Sequence, residues 1–256
     1  MKTQHTIKTD NQELTLKRNL NYEFHCGDCI EIMQGMEQSS IDLILTDPPY
    51  NLGLFMHRRD TNLKKMRENQ FAYSGWDNLE YKEWSVHMDS FFEESARLLK
   101  KRGALLLFMS IIKVESIIAL AQKHGFYYKT TGVWHKTNPM PRNMNLHFVN
   151  STEAWVYFIH GGSTGTFNNN GKLVHDFFET SVTPQGERKQ GVHPTQKPLK
   201  IFNSLVGLLT NKGEVVLDPF MGSGTTGVSC KLNNRSFIGI DSHEPYVEIA
   251  KKRIEE

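Results

Sequence analysis

Apolar residues in this chain come in two patterns. Short, nearly continuous apolar runs read as strands: Tyr22–His25, Ile41–Asp47, Ala104–Met109, Phe126–Lys136, Glu153–His160, Glu214–Leu217 and Arg235–Ile240. Between them, apolar positions recur every three or four residues, the period of a helix with one buried face. Ile30, Met33 and Met36 predict a short helix. Trp84, Met88, Phe91, Phe92, Ser95, Leu98 and Leu99 predict a long one, stopped by Lys100-Lys101-Arg102 and Gly103. A helix over roughly 112–124 ends before Gly125. Leu199, Phe202, Leu205, Val206 and Leu209 mark another, opened by His193–Pro198 and closed by Gly213. The chain ends in a compact βαβα pattern, with helices running to about Leu232 and along Tyr246, Val247, Ala250 and Ile254. Strands that alternate with helices predict an α/β protein.

Three stretches break the alternation. Residues 51–79 are long, irregular and basic, with Arg58, Arg59, Lys64, Lys65 and Arg67 among Phe55, Phe71, Tyr73 and Trp76. A loop of that length in a compact domain is functional or disordered; a solvated charged face is the competing reading. Thr137–Asn143 is a rigid, polar, proline-rich loop. Residues 161–192 are rich in turn signals (Gly161-Gly162-Ser163, Asn168–Gly171, Pro184-Gln185-Gly186) and form the best candidate for a small inserted module. The polar N-terminal segment 1–20 reads as an arm, or as a brief strand at Leu14–Leu16. No internal repeat is visible.

Composition narrows the class. The 256 residues carry a net charge of only +2, so any nucleic-acid surface must be local. No apolar run of about 18 residues predicts a membrane span, and Met1–His5 lacks a signal core. Three cysteines make no disulfide framework, which predicts a cytoplasmic protein. Cys26-x-x-Cys29 has no second pair, so a zinc or redox site is disfavoured and no metal is expected.

Candidate chemistry concentrates at two strand ends. The first is Asp47-Pro48-Pro49-Tyr50. Both prolines fix φ and lack an N–H, and Pro49 keeps Pro48 extended. The turn is therefore stiff and stands where open α/β sheets place ligands. Asp47 and the Pro48 carbonyl can accept the two N–H groups of an exocyclic amine, and the Tyr50 ring can stack on a flat heterocycle. Two acceptors outside the ring plane favour a pyramidal nitrogen and free its lone pair, an effect largest in the transition state. A strand-ending turn with a surface Asp and a packed Tyr is the plain structural alternative.

The second is Asp218-Pro219-Phe220-Met221-Gly222-Ser223-Gly224-Thr225-Thr226-Gly227. It contains G-x-G-x-x-G between a strand and a helix, with Asp241 ending the next strand, an arrangement suited to a nucleoside. Only 29 residues follow Gly227, too few for the rest of a dinucleotide unit in its usual order. Asp218 would repel a pyrophosphate but attract a cation. S-adenosylmethionine, with its sulfonium and ammonium, fits Asp218 and Asp47, and Lys197 can meet its carboxylate.

Taken together and in this order, the two motifs resemble the β class of amino-group DNA methyltransferases, in which the target-base turn precedes the cofactor turn. Trp134–Pro139 and His193–Pro198 match that family as well, so the resemblance covers roughly residues 22–256. It implies a permuted Rossmann-like fold: one domain over 1–256, with a doubly wound, mostly parallel seven-stranded sheet. It implies that Asp28 bonds the adenine amine of S-adenosylmethionine and Asp241 its ribose. Phe220, Gly222, Ser223, Gly224, Thr225 and Thr226 would surround the methionine portion, with Thr195 and Lys197 at its carboxylate. Asp47, Pro48, Pro49 and Tyr50 would hold a base flipped out of DNA. Asp in the first place favours adenine N6, since cytosine-N4 enzymes usually carry Ser there. Target recognition is expected from 161–192, helped by Arg142 and the basic loop 51–75. DNA is the expected partner, alongside a cognate restriction endonuclease or a second copy of the chain. Three rivals stay open: a cytosine-N4 enzyme, a protein-glutamine or RNA methyltransferase, and a non-catalytic DNA-binding relative.

Overall fold

A computed structural model describes residues 20–51, 79–139, 148–191 and 193–256. Most of the basic loop 51–75, Arg142 and the N-terminal arm lie outside the described residues. The eight strands are β1 (Tyr22–Cys26), β2 (Ile41–Thr46), β3 (Leu99–Met109), β4 (Phe126–Lys136), β5 (Thr152–His160), β6 (Phe177–Thr180), β7 (Val215–Asp218) and β8 (Ser236–Asp241). The helices are α1 (Cys29–Gln34), α2 (Tyr81–Leu98), α3 (Val114–Lys123), α4 (Leu199–Leu209), α5 (Thr225–Asn233) and α6 (Glu244–Glu255).

The strands form a single sheet in the order β1-β8-β7-β2-β3-β5-β4-β6. Among the described strands only β5 is reversed, running antiparallel to both β3 and β4. Both faces are covered, which is why the central strands read as continuous apolar runs. Along β3, Leu105, Leu107 and Met109 join the core beneath α2 and α3, with Trp84, Phe91, Phe92 and Ile117. Ala104, Leu106 and Phe108 alternate to the other core, with Phe202 and Val206 of α4 and Val247 and Ala250 of α6. Phe108 and Phe202 stack with ring centroids 5.3 Å apart.

Two expectations need correction. Among the described residues the sheet has eight strands, not seven. The extra one, β6, lies inside the 161–192 segment and pairs parallel with the edge strand β4, from Val133↔Phe177 to Lys136↔Thr180. Four residues with alternating exposure carry too little apolar signal to be read as a strand. The other concerns Lys100-Lys101-Arg102, which does not cap a helix. Helix α2 ends at Leu98, and the basic run belongs to β3. The β2–β3 register jumps from Ile41↔Leu99 to Leu43↔Ala104, Arg102 takes φ 69°, and the Lys100 ammonium binds both oxygens of Asp42 at 2.8–2.9 Å. That ion pair anchors a bulged strand start.

Candidate active site

The parallel strands bring four aspartates to one sheet edge in the order of the strands. Asp28 follows β1, Asp241 ends β8, Asp218 ends β7 and Asp47 follows β2. Cys26 pairs with Asp241 in register and Asp218 with Gly239, so the strands end together. This is the carboxyl edge, where α/β sheets bind ligands. The two motifs that sequence singled out are direct neighbours there: Thr46 Oγ1, the last residue of β2, donates to Asp218 Oδ1 at 2.6 Å.

Around the first turn, two acids and two ammonium groups close a network. Asp47 Oδ1 accepts from the Tyr50 hydroxyl at 2.8 Å, and Asp47 Oδ2 accepts from the Lys197 ammonium. The same Tyr50 hydroxyl lies 2.9 Å from Glu153 Oε2. Glu153 also pairs with Lys136 Nζ at 2.5 Å and lies 3.3 Å from Lys197 Nζ. Charge within the cluster balances, as burial demands. Burial alone would raise the Glu153 carboxyl, but Lys197 and Lys136 hold it down at about 2. Burial pushes the Asp47 carboxyl up, with Lys197 opposing and Glu153 adding to the rise. Lys197, expected at the cofactor's carboxylate, is paired here with Asp47 and Glu153, and its ammonium lies 5.5 Å from the Tyr50 ring centre.

At the second turn, most side chains face inward. Asp218 is buried and accepts from Thr46, Thr226 and the Phe220 N–H. Burial pushes its carboxyl up to about 7, against these hydrogen bonds. Its carboxylate therefore stitches β2, β7 and α5 together. Gly222 and Gly224 take φ of 51° and 76°. A Cβ on Gly222 would sit 3.0 Å from the His193 ring, and one on Gly224 2.7 Å from Ala250 Cβ. Both glycines thus serve the turn's own packing. Ser223, Thr225 and Thr226 are buried, and Arg253 of α6 reaches in to bond the Ser223 carbonyl at 2.5 Å and the Ser223 hydroxyl at 3.0 Å. His193 packs edge-on against Tyr246, ring centres 4.3 Å apart.

The groups left facing outward suit a nucleoside with an amine and hydroxyls. Asp28 is exposed, and only its Oδ1 is engaged, capping α1 through the Ile30 and Glu31 N–H groups. Asp241 takes one backbone N–H on each oxygen, from Gly222 and His243, and keeps further acceptor capacity. Phe220 is half-buried against Phe91, and Thr195 is exposed beside His193. These carboxylate acceptors fit the amine and hydroxyls of S-adenosylmethionine and would repel a pyrophosphate.

Sequence reading missed three residues here. Arg253, in the basic last turn of α6, is buried beneath the glycine turn. Glu153 and Lys136 join the Asp47 network from the neighbouring strands β5 and β4. The one available signal was a lone acid heading an otherwise apolar strand. Cys26, Cys29 and Cys230 are free thiols, and no cluster of three metal-ligating side chains occurs among the described residues. No helix among those residues is long and apolar enough to cross a membrane.

An open sheet with one reversed strand, a proline-stiffened acid turn and an adjoining glycine turn define a Rossmann-like methyltransferase whose acid turn precedes its glycine turn in the chain. The chain belongs to the DNA methylase family of N6 and N4 enzymes, whose model matches residues 41–252. It is a DNA methyltransferase dependent on S-adenosylmethionine. It is 32% identical over 238 residues to the type II methyltransferase M2.LlaDCHI of Lactococcus lactis subsp. cremoris, covering 89% of this chain and 87% of that one. The crystal structure of the M1.HpyAVI–SAM complex superimposes with a TM-score of 0.67 at 27% identity, over 91% of this chain and 99% of that one. The PvuII cytosine-N4-specific DNA methyltransferase shares the fold, with a TM-score of 0.73 at 20% identity over 91% and 86% of the two chains.

Proposed function

We propose that this protein is a site-specific DNA methyltransferase acting on adenine N6. The observation that carries the proposal is Asp47: a carboxylate heading the Pro-Pro-Tyr turn and joined to the cofactor turn through the neighbouring Thr46–Asp218 bond. Asp47 and the Pro48 carbonyl accept the two N–H groups of the adenine amine and favour a pyramidal nitrogen. Tyr50 faces the ring of the flipped base, and Pro49 keeps the turn rigid. Bound S-adenosylmethionine supplies a methyl group already activated by the sulfonium. Asp28 takes its adenine amine and Asp241 its ribose. Phe220 and the turn Gly222-Ser223-Gly224-Thr225-Thr226 surround its methionine portion above Asp218, with Thr195 toward the carboxylate and Lys197 held between Asp47 and Glu153. In this reading residues 161–192 recognise the target with Arg142, loop 51–75 meets phosphates, and a restriction endonuclease of the same specificity accompanies the enzyme.

Incubation of DNA with enzyme and methyl-labelled S-adenosylmethionine, followed by nucleoside analysis, tests the reading. Label in N6-methyladenine is expected. Label in N4-methylcytosine would give the enzyme the other base, and an absence of label in DNA would remove the activity.

A further inference from the structure

Tyr50 has one hydroxyl proton and two carboxylates within reach of it. Asp47 Oδ1 stands at 2.8 Å and Glu153 Oε2 at 2.9 Å. A single O–H makes one well-aligned hydrogen bond at a time. While it points to Asp47, both Asp47 oxygens are held by the protein's own donors, Tyr50 on one and Lys197 on the other. An incoming amine N–H then meets an Asp47 Oδ1 whose negative charge is already shared with the Tyr50 hydroxyl.

We infer that Glu153 is a positioning residue: it takes over the Tyr50 hydroxyl and shares the Lys197 ammonium when Asp47 turns to the substrate amine. The inference rests on the reading of Asp47 as the amine's acceptor. Rotation about the Tyr50 C–O bond carries the proton from one acceptor to the other, with every heavy atom in place. Glu153 is fixed for this task. It stands on β5 opposite Trp134 of β4, and Lys136, two residues along β4, binds its second oxygen. The Lys197 ammonium already lies between the two acids, in a bond to Asp47 and 3.3 Å from Glu153. Glu153 thus offers Tyr50 and Lys197 a second anchor, so releasing Asp47 leaves neither donor unpaired in a buried site. If Glu153 served only to neutralise the two lysines, its effect on turnover would not depend on the Tyr50 hydroxyl.

A double-mutant cycle separates the two roles. Methyl transfer to a DNA carrying the target site is measured for wild type, Glu153→Gln, Tyr50→Phe and the double variant. Asp47→Asn serves as the control for the underlying reading. Glu153→Gln is expected to lower kcat by about tenfold or more while leaving KM for S-adenosylmethionine within about twofold. In the Tyr50→Phe background, where no hydroxyl proton remains to relocate, the same change should cost less than about threefold. Equal losses in both backgrounds, or no loss on Glu153→Gln, would overturn the inference while Asp47→Asn stays inactive. Wild-type turnover by Asp47→Asn would instead overturn the reading beneath it. Should Glu153→Gln alone fail to fold, Glu153→Gln with Lys136→Gln removes one charge of each sign and is compared in the same two backgrounds.

Discussion

The Thr46 hydroxyl donates to Asp218 across 2.6 Å, joining residues 172 positions apart in the chain. One ends β2 and opens the acid turn; the other ends β7 and opens the glycine turn. The two halves of the site are therefore held together by a hydrogen bond between buried side chains at neighbouring strand ends, in addition to the sheet ladder itself.

Thr46→Val tests that bond at nearly constant volume. It leaves Asp218 with Thr226 and the Phe220 N–H, and takes one donor from a buried carboxylate. Stability is expected to fall by about 1–3 kcal/mol, measured by urea unfolding. Turnover should fall more than S-adenosylmethionine affinity does, because each half stays intact and only their relation loosens. Equal losses in both would mean that Thr46 merely supports the cofactor side.

Gly224→Ala addresses the glycine turn. Gly224 sits at φ 76°, and its added Cβ would lie 2.7 Å from Ala250 Cβ and 3.0 Å from Ala250 Cα. Backbone strain and clash act together, so a loss of about 2–4 kcal/mol is expected. Ala250→Gly in the same chain removes the nearest Cβ but not the φ strain. It should restore part of the loss and never all of it. Complete recovery in thermal unfolding would show that packing alone requires the glycine.

Arg253→Met removes the guanidinium that holds the Ser223 carbonyl and hydroxyl from below. The methionine keeps most of the buried stem, so the change isolates the hydrogen bonds. Affinity for S-adenosylmethionine is expected to drop by about tenfold, roughly the worth of one charged hydrogen bond. Titration calorimetry reads it directly, and unchanged affinity would relegate Arg253 to anchoring α6.

Much of this arrangement was legible because its signals are local. Asp47-Pro48-Pro49-Tyr50 and Gly222-Ser223-Gly224 mark strand ends whatever surrounds them, and continuous apolar runs such as Ala104–Met109 reveal strands covered on both faces. What escaped depends on which strands become neighbours. Glu153 and Lys136 are 17 residues apart and meet across β4 and β5, and Lys197 reaches Asp47 from 150 positions away. Arg253 carries the same sequence signature as its exposed neighbour Lys252, and only the packing of α6 under the glycine turn distinguishes them. Strand β6 was missed for another reason: an edge strand of four residues is specified by its partner β4 more than by its own side chains.

His193 gives the site a pH dependence of known sign. Burial, reinforced by the positive charges of Lys197, Arg253, His243 and Arg188, pushes its imidazole down to about 4. The unfolded chain binds that proton near the ordinary value of about 6.5. Between those values the unfolded state holds more protons, so stability from this group is complete above pH 6.5 and drains as pH falls toward 4, by up to about 1.4 kcal/mol per unit. His193→Gln abolishes the titration. The stability difference between wild type and His193→Gln, measured by urea unfolding, should therefore shift by about 2 kcal/mol against wild type from pH 7 to pH 5. In the folded protein the imidazole stays neutral across this interval, so its packing against Gly222 and Tyr246 should not change with pH. Parallel stability curves for the two proteins would show that the imidazole stays accessible enough to titrate normally.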